Sequence, residues 1–217
     1  MKTETGFVLR EKIDRDGELR LTLGYDENCM PTALADKALI VTSLAGIYAG
    51  QVTFYGQSVP AALAQFAKRR DPAVAASLLT SILLGWARSN EEQVVCTVGS
   101  ICTQPGRSDI SPESVRLSFD IRAAGEAALA EVAATISRFT SDIENGRSQV
   151  KSTVEYFRRE KPLALSEAGV ARLCAEAEAQ GVQYEKVAGF SGLAPDQLGD
   201  GQKVSVVVLP DGLSFSA

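Results

Sequence analysis

The sequence predicts an α+β protein whose middle section is a ferredoxin-like domain. Between residues 46 and 160 the predicted elements follow the order strand, helix, strand, strand, helix, strand. The strands alternate polar and apolar residues with period two, whereas two segments repeat apolar residues at helical spacing. The chain has 217 residues, of which 45% are hydrophobic and 23% charged, as in ordinary globular proteins.

The N-terminal flank begins with two predicted strands. Alternation predicts strands at 6–12 and 18–23, and the Asp-Arg-Asp-Gly sequence at 14–17 predicts the turn between them. A short apolar run at 37–44 predicts a further strand.

The central section opens with a strand at 47–55 and a helix at 72–88. Asp71 can cap the first turn of this helix, and Pro72 suits its first position, because proline fixes a helical φ and needs no N–H partner there. The spacing predicts a core-facing side formed by Val74, Leu78, Ile82, Leu83 and Trp86.

The rest of the central section adds three strands and a helix. Runs rich in Val and Ile predict strands at 93–103 and 115–122, separated by a Pro- and Gly-containing loop at 104–114. A helix is predicted over 125–145, and another alternating strand over 149–157. The predicted buried stripe of this helix is Leu129, Val132, Ala133, Ile136, Phe139 and Ile143.

The C-terminal flank contains a predicted helix and a predicted buried strand. Ser166 can cap a helix over 166–180, and Gly181 can end it. The apolar run 203–209 is followed by Pro-Asp-Gly and is typical of a strand buried on both faces. We therefore expect one domain at 46–160 and a second layer built from residues 1–45 and 161–217.

Composition excludes several function classes. The sequence has no histidine, which rules out Ser-His-Asp and Cys-His nucleophiles and any imidazole metal ligand. A net charge of −5 argues against nucleic acid as a partner, and no apolar stretch is long enough to span a membrane. Four separated cysteines and an N-terminus without a signal segment indicate a cytoplasmic protein with reduced thiols.

Five motifs, in order, resemble those of the metal-dependent amidohydrolases, the group of allantoate amidohydrolase, N-carbamoyl-L-amino acid hydrolase and β-ureidopropionase. This group belongs to the zinc aminoacylase and carboxypeptidase superfamily. The matching segments are 41–46; Gly56-Gln57 with Arg69-Arg70-Asp71; 97–99 with Pro105-Gly106 and 117–122; Ser191-Gly192 with Asp196; and 207–214.

The resemblance implies a degenerate, truncated member of that group. Residues 46–160 would be its lid and dimerisation domain, in which an edge strand and a helix pair with a second subunit. We expect this edge to include Thr53. Residues 1–45 and 161–217 would be a remnant of the C-terminal half of the α/β catalytic domain.

The positions at which the group has histidines hold other residues. The resemblance places the metal-binding histidines at Gly24 and Phe215, the lid histidine at Pro60, and a further histidine at Pro195. None of these four side chains can ligate a metal. We therefore expect no metal and no cofactor.

Two positions of substrate contact match charged residues. The resemblance aligns Arg122 with the arginine that binds the substrate carboxylate, and Asp109 with an asparagine of the same site. Arg122 could hold an anion through its planar guanidinium, but it could equally be a surface ion pair. Asp109 would repel an anion, or pair with Arg122.

The sequence leaves three functions open. The first is a catalytically inactive structural or regulatory subunit that binds a second copy of itself or another enzyme subunit, such as an active paralogue. The second is a metal-independent enzyme that uses Asp26, Glu27, Asp109 or Asp196 with Arg122. The third is an anion-binding module without turnover.

Overall fold

The computed structural model describes residues 8–13, 18–25, 37–63, 65, 69–146, 149–198 and 203–210. The chain divides into two compact units. We call Ile47–Glu160 the central unit, and Met1–Gly46 with Lys161–Ala217 the flanking unit.

The described elements are three α-helices, a short 3-10 helix and eleven strands. In chain order they are β1 Val8–Ile13, β2 Leu19–Tyr25, β3 Ala38–Val41, β4 Ser43–Leu44, β5 Gly46–Tyr55, α1 Pro72–Ser89, β6 Val94–Gln104, β7 Ser114–Ala123, α2 Glu126–Asn145, β8 Lys151–Glu160, β9 Leu163–Ala164, α3 Glu167–Ala179, β10 Tyr184–Val187, the 3-10 helix Pro195–Gln197, and β11 Val204–Pro210.

The central unit is a four-stranded sheet with both helices on one face. The strand order is β6-β7-β5-β8, and the β6/β7 and β5/β8 pairs are antiparallel. Alternate residues of β7 are buried, and α1 and α2 pack on them in one shared core. These inward residues are Val115, Leu117, Phe119, Ile121 and Ala123. The predicted α+β class and its ferredoxin-like arrangement are confirmed.

Helix α1 begins where the sequence predicted but presents a different side to the core. Asp71 caps it by accepting a hydrogen bond from the Ala73 N–H at 3.0 Å. Its outward side holds Val74, Leu78 and Ile82, which are 43%, 47% and 37% exposed, so the predicted core face was wrong for these three. The residues buried instead are Pro72, Ala75, Ala76, Leu79, Leu83 and Ala87.

Helix α2 follows the predicted stripe. Leu129, Val132 and Ile136 are buried, and Phe139 and Ile143 pack against the same core. The Trp86 Nε1–H of α1 donates to Glu131 Oε1 of α2 at 3.1 Å. The two helices are therefore neighbours on the covered face.

The flanking unit is built on a mixed five-stranded sheet of order β1-β2-β11-β3-β10. Strand β11 lies in the middle, parallel to β2 and antiparallel to β3. Val206 and Val208 face one core, and Val207 and Leu209 face the other, which α3 covers. The prediction of a strand buried on both faces is confirmed.

Several details differ from the sequence-based prediction. Thr53 lies on β5, which is an inner strand of the central sheet, so its expected place on the sheet edge was wrong. Strand β10 and the short 3-10 helix were not predicted. The predicted turn at 14–17 lies outside the described residues.

Gly56 has a structural reason to be glycine. It follows β5, and the next residue, Gln57, donates its backbone N–H to the Arg70 carbonyl at 3.0 Å. A Cβ on Gly56 would lie 2.0 Å from the Arg70 carbonyl oxygen and 2.5 Å from Pro72 Cδ. The two parts of this motif, Gly56-Gln57 and Arg69-Arg70-Asp71, therefore pack with their backbones in direct contact.

We expect Gly56→Ala to destabilise the central unit by about 1–3 kcal/mol, because the methyl group overlaps backbone atoms that cannot move independently. The matched control is Gly125→Ala in the same unit. A Cβ on Gly125 meets no atom within 4 Å and its φ of −120° is open to alanine, so this change should cost at most about 1 kcal/mol. Thermal unfolding of both variants checks the prediction, and equal shifts of the same sign would contradict it.

Candidate functional site

Arg122 lies on the face of the central sheet that the helices leave open. It follows Asp120 by two residues on β7, so both side chains emerge on the same side. Arg122 Nε donates to Asp120 Oδ1 at 2.8 Å, and its Nη2 donates to Oδ2 at 3.3 Å. The guanidinium therefore already holds a carboxylate of its own strand.

Asp109 lies at the opposite end of β7 from Arg122. Ser114 and Arg122 are separated by eight strand positions, or about 26 Å, and Asp109 precedes Ser114 in the chain. Asp109 accepts two hydrogen bonds from Arg107, at 3.0 and 2.7 Å. These bonds lower the pKa of the Asp109 carboxyl. The structure thus gives Arg122 and Asp109 separate partners and does not bring them together.

Pro60 and Asp109 are neighbours in a ribbon next to the sheet. Pro60 forms an antiparallel bridge with Ile110, and the Ala61 N–H donates to the Asp109 carbonyl at 2.8 Å. The buried Ser111 hydroxyl also accepts from the Val59 N–H at 3.0 Å. Two of the positions that the resemblance singled out therefore meet in space.

The other positions are spread through the flanking unit. Gly24 lies on β2 in register with Leu209, and Pro195 opens the short 3-10 helix that contains Asp196. Asp26, Glu27 and Phe215 lie outside the described residues.

Among the described residues no group of three or more Cys, Asp or Glu side chains is placed to hold a metal ion. No helix in the described ranges is long and apolar enough to cross a membrane.

The most distinctive surface of the central unit is the outward side of α1, which we call the α1 stripe. Val74, Leu78 and Ile82 recur every four residues along it. Three small residues, Ser77, Ser81 and Gly85, run beside them at the same spacing. A shallow cavity of about 330 Å³ opens among them, lined by Ala73, Val74, Ser77, Leu78 and Ser81.

Strand β6 borders this helix and forms an edge of the sheet. It hydrogen-bonds to β7 on one side and ends the strand order on the other. Val95 and Ile101 on it are 51% and 50% exposed. The sequence pattern predicted that the α1 stripe faces the core. One feature of the sequence argued against this: residues 72–87 contain no charged side chain, so the helix has no polar face to turn toward water.

Cys96 on β6 has a perturbed pKa. Burial, with a smaller contribution from the Asp120 carboxylate, raises the pKa of its thiol to about 11. This thiol therefore stays protonated at neutral pH and is a poor nucleophile.

No protein-family model matches the chain, and no curated protein sequence matches it either. Solved structures do. An amidase of the hydantoinase/carbamoylase family from Burkholderia vietnamiensis superposes with a TM-score of 0.74 at 24% identity, over 90% of this chain and 48% of the amidase. A second, from Burkholderia multivorans, gives 0.73 at 23% identity, over 90% and 48%.

A third amidase of that family, from Burkholderia phymatum, gives a TM-score of 0.72 at 21% identity, over 82% of this chain and 45% of the amidase. The chain thus spans about half the length of the amidases it matches. The resemblance inferred from the motifs holds at the level of the fold. The chain is similar in fold to about half of a hydantoinase/carbamoylase-family amidase.

Proposed function

We propose that this chain is an amidohydrolase-like subunit without amidase activity, which assembles with a second copy of itself through the α1 stripe and the β6 edge. The observation that carries the proposal is that four large apolar side chains of α1 point outward. Val74, Leu78, Ile82 and Leu84 are all between 37% and 47% exposed. An uncharged helix face of this kind is typical of an interface.

The two edges of the central sheet support β6 as the pairing strand. Its eleven residues, from Val94 to Gln104, include no charged side chain. The opposite edge strand, β8, carries five among ten residues: Lys151, Glu155, Arg158, Arg159 and Glu160. Charged residues on an edge strand hinder pairing with another strand. Only the β6 edge lacks this protection.

The α1 stripe is complementary to itself, which favours a second copy as the partner. A two-fold axis that passes between Leu79 and Thr80 would place the α1 helices of two copies side by side and antiparallel. Each large side chain then faces a small one. The facing pairs are Val74 with Gly85, Leu78 with Ser81, and Ile82 with Ser77. Two-fold interfaces require this kind of match, because the same patch contributes both sides.

The proposed lack of amidase activity rests on the sequence. Zinc hydrolases bind their metal through histidine and carboxylate side chains, and this sequence contains no histidine. Gly24, Pro60, Pro195 and Phe215 stand where the resemblance places histidines.

We expect Leu78→Glu to weaken self-association by at least about tenfold, because a carboxylate would be buried in the interface without a charged partner. The matched control is Ala134→Glu, which adds the same charge to an exposed position on α2. Analytical ultracentrifugation at micromolar concentration measures both, and circular dichroism verifies that each variant is folded. A folded wild-type monomer, or equal effects of the two substitutions, would contradict the proposal.

We also expect the purified chain to bind zinc or manganese only substoichiometrically, and to hydrolyse no N-carbamoyl amino acid. Elemental analysis measures the metal, and a hydantoinase/carbamoylase-family amidase assayed in parallel serves as the positive control. Stoichiometric metal, or turnover that a chelator abolishes, would show that the chain retains a metal centre.

A further inference from the structure

The open face of the central sheet contains a polar pocket that lies outside the α1 stripe, although it shares strand β6 with the proposed assembly edge. Its volume is about 380 Å³, and three neighbouring strands supply its walls. The lining residues are Gln51, Thr53 and Tyr55 of β5, Cys102 and Gln104 of β6, and Ser114 and Arg116 of β7. A volume of this size is within the usual range for small-molecule sites.

Arg116 is the only charged residue among those lining the pocket. Two other arginines of the central unit are held by carboxylates: Arg122 by Asp120, and Arg107 by Asp109. Arg116, by contrast, makes no hydrogen bond or ion pair with any residue of the described ranges. Arg116 is thus an exposed lining residue of the pocket whose guanidinium donors are not taken by described residues.

The neutral residues around Arg116 add hydrogen-bonding groups without opposing charge. The hydroxyls of Thr53, Tyr55 and Ser114 are not used in hydrogen bonds within the described part of the chain. On the β8 side, Glu155 accepts from Gln51 Nε2 at 2.8 Å. Strand β5 lies between β8 and β7, so the backbones of these two strands are about 10 Å apart.

We propose that this pocket binds a small organic carboxylate, with its anionic end on Arg116. A guanidinium presents a planar fork that matches the two oxygens of a carboxylate. The surrounding hydroxyls and the half-exposed ring of Tyr55 can contact the rest of such a molecule. This places anion binding six residues before Arg122, the position that the resemblance had suggested for it.

Cys102 provides a built-in reporter, because it lines the pocket and stands opposite Arg116 in the β6/β7 register. Iodoacetate and iodoacetamide differ mainly in that the first carries a carboxylate. The Cys102 thiolate displaces iodide from either reagent, forms a carbon–sulfur bond and releases iodide. The ratio of the two rates at Cys102 therefore reports carboxylate binding, since any effect of Arg116 on the thiolate itself enters both rates equally.

The experiment treats the full chain with each reagent and follows Cys102 by peptide mass spectrometry. We expect the iodoacetate-to-iodoacetamide rate ratio to fall at least about tenfold in Arg116→Gln, because the carboxylate loses its charged partner. Arg122→Gln should leave the ratio unchanged. The iodoacetate rate should also saturate with concentration, and succinate should slow it in wild type but not in Arg116→Gln.

Three results would overturn the inference: a ratio that Arg116→Gln does not change, an equal fall in Arg122→Gln, or a linear iodoacetate rate that succinate does not affect. If inorganic phosphate protects Cys102 and succinate does not, the ligand class is wrong. If the protein is monomeric and the assembly proposal fails, this test still applies, because a single chain supplies all the lining residues of the pocket.

Discussion

One constraint governs the central unit: four strands present two faces, and two helices cover only one of them. The alternation of β7 divides its side chains between a dry core and an open polar face. Because α1 lies next to α2 and over β6 and β7, its far side has no neighbour among the described residues of the unit. The α1 stripe, the uncovered β6 edge and the polar pocket are all consequences of this one-sided packing.

The distribution of side-chain sizes on α1 follows from the same arrangement. Leu79 and Leu83 face the sheet together with the smaller Ala75, Ala76 and Ala87, and these residues fill the space between the helix and the strands. The branched side chains Val74, Leu78 and Ile82 then remain outside. A helix that needed only to close its own core would place these residues inward, since burial of each is worth about 1.5–3 kcal/mol. Their outward placement is therefore informative about assembly.

Much of the fold could be predicted from the sequence, because the period of apolar residues distinguishes β7 from α2 directly. The orientation of α1 could not, because both of its faces are apolar and a local pattern cannot choose between them. The same limit applies to the position of Thr53, since strand order is set by long-range pairing. At the site, the sequence predicted Arg122, and strand alternation alone places Asp120 on the same face. Only the pairing of the strands reveals that Arg116 stands among neutral groups.

The position of β11 has a consequence for synthesis. It is the strand that joins β2 to β3, yet it lies nearly 180 residues after β2. At about 5–20 residues per second, a ribosome needs roughly 10–40 s to supply it. During that interval the central unit, which is continuous in the chain, can complete its own sheet. The early strands of the flanking unit meanwhile have unpaired edges, so they are the segments of the nascent chain most exposed to mispairing or chaperone binding.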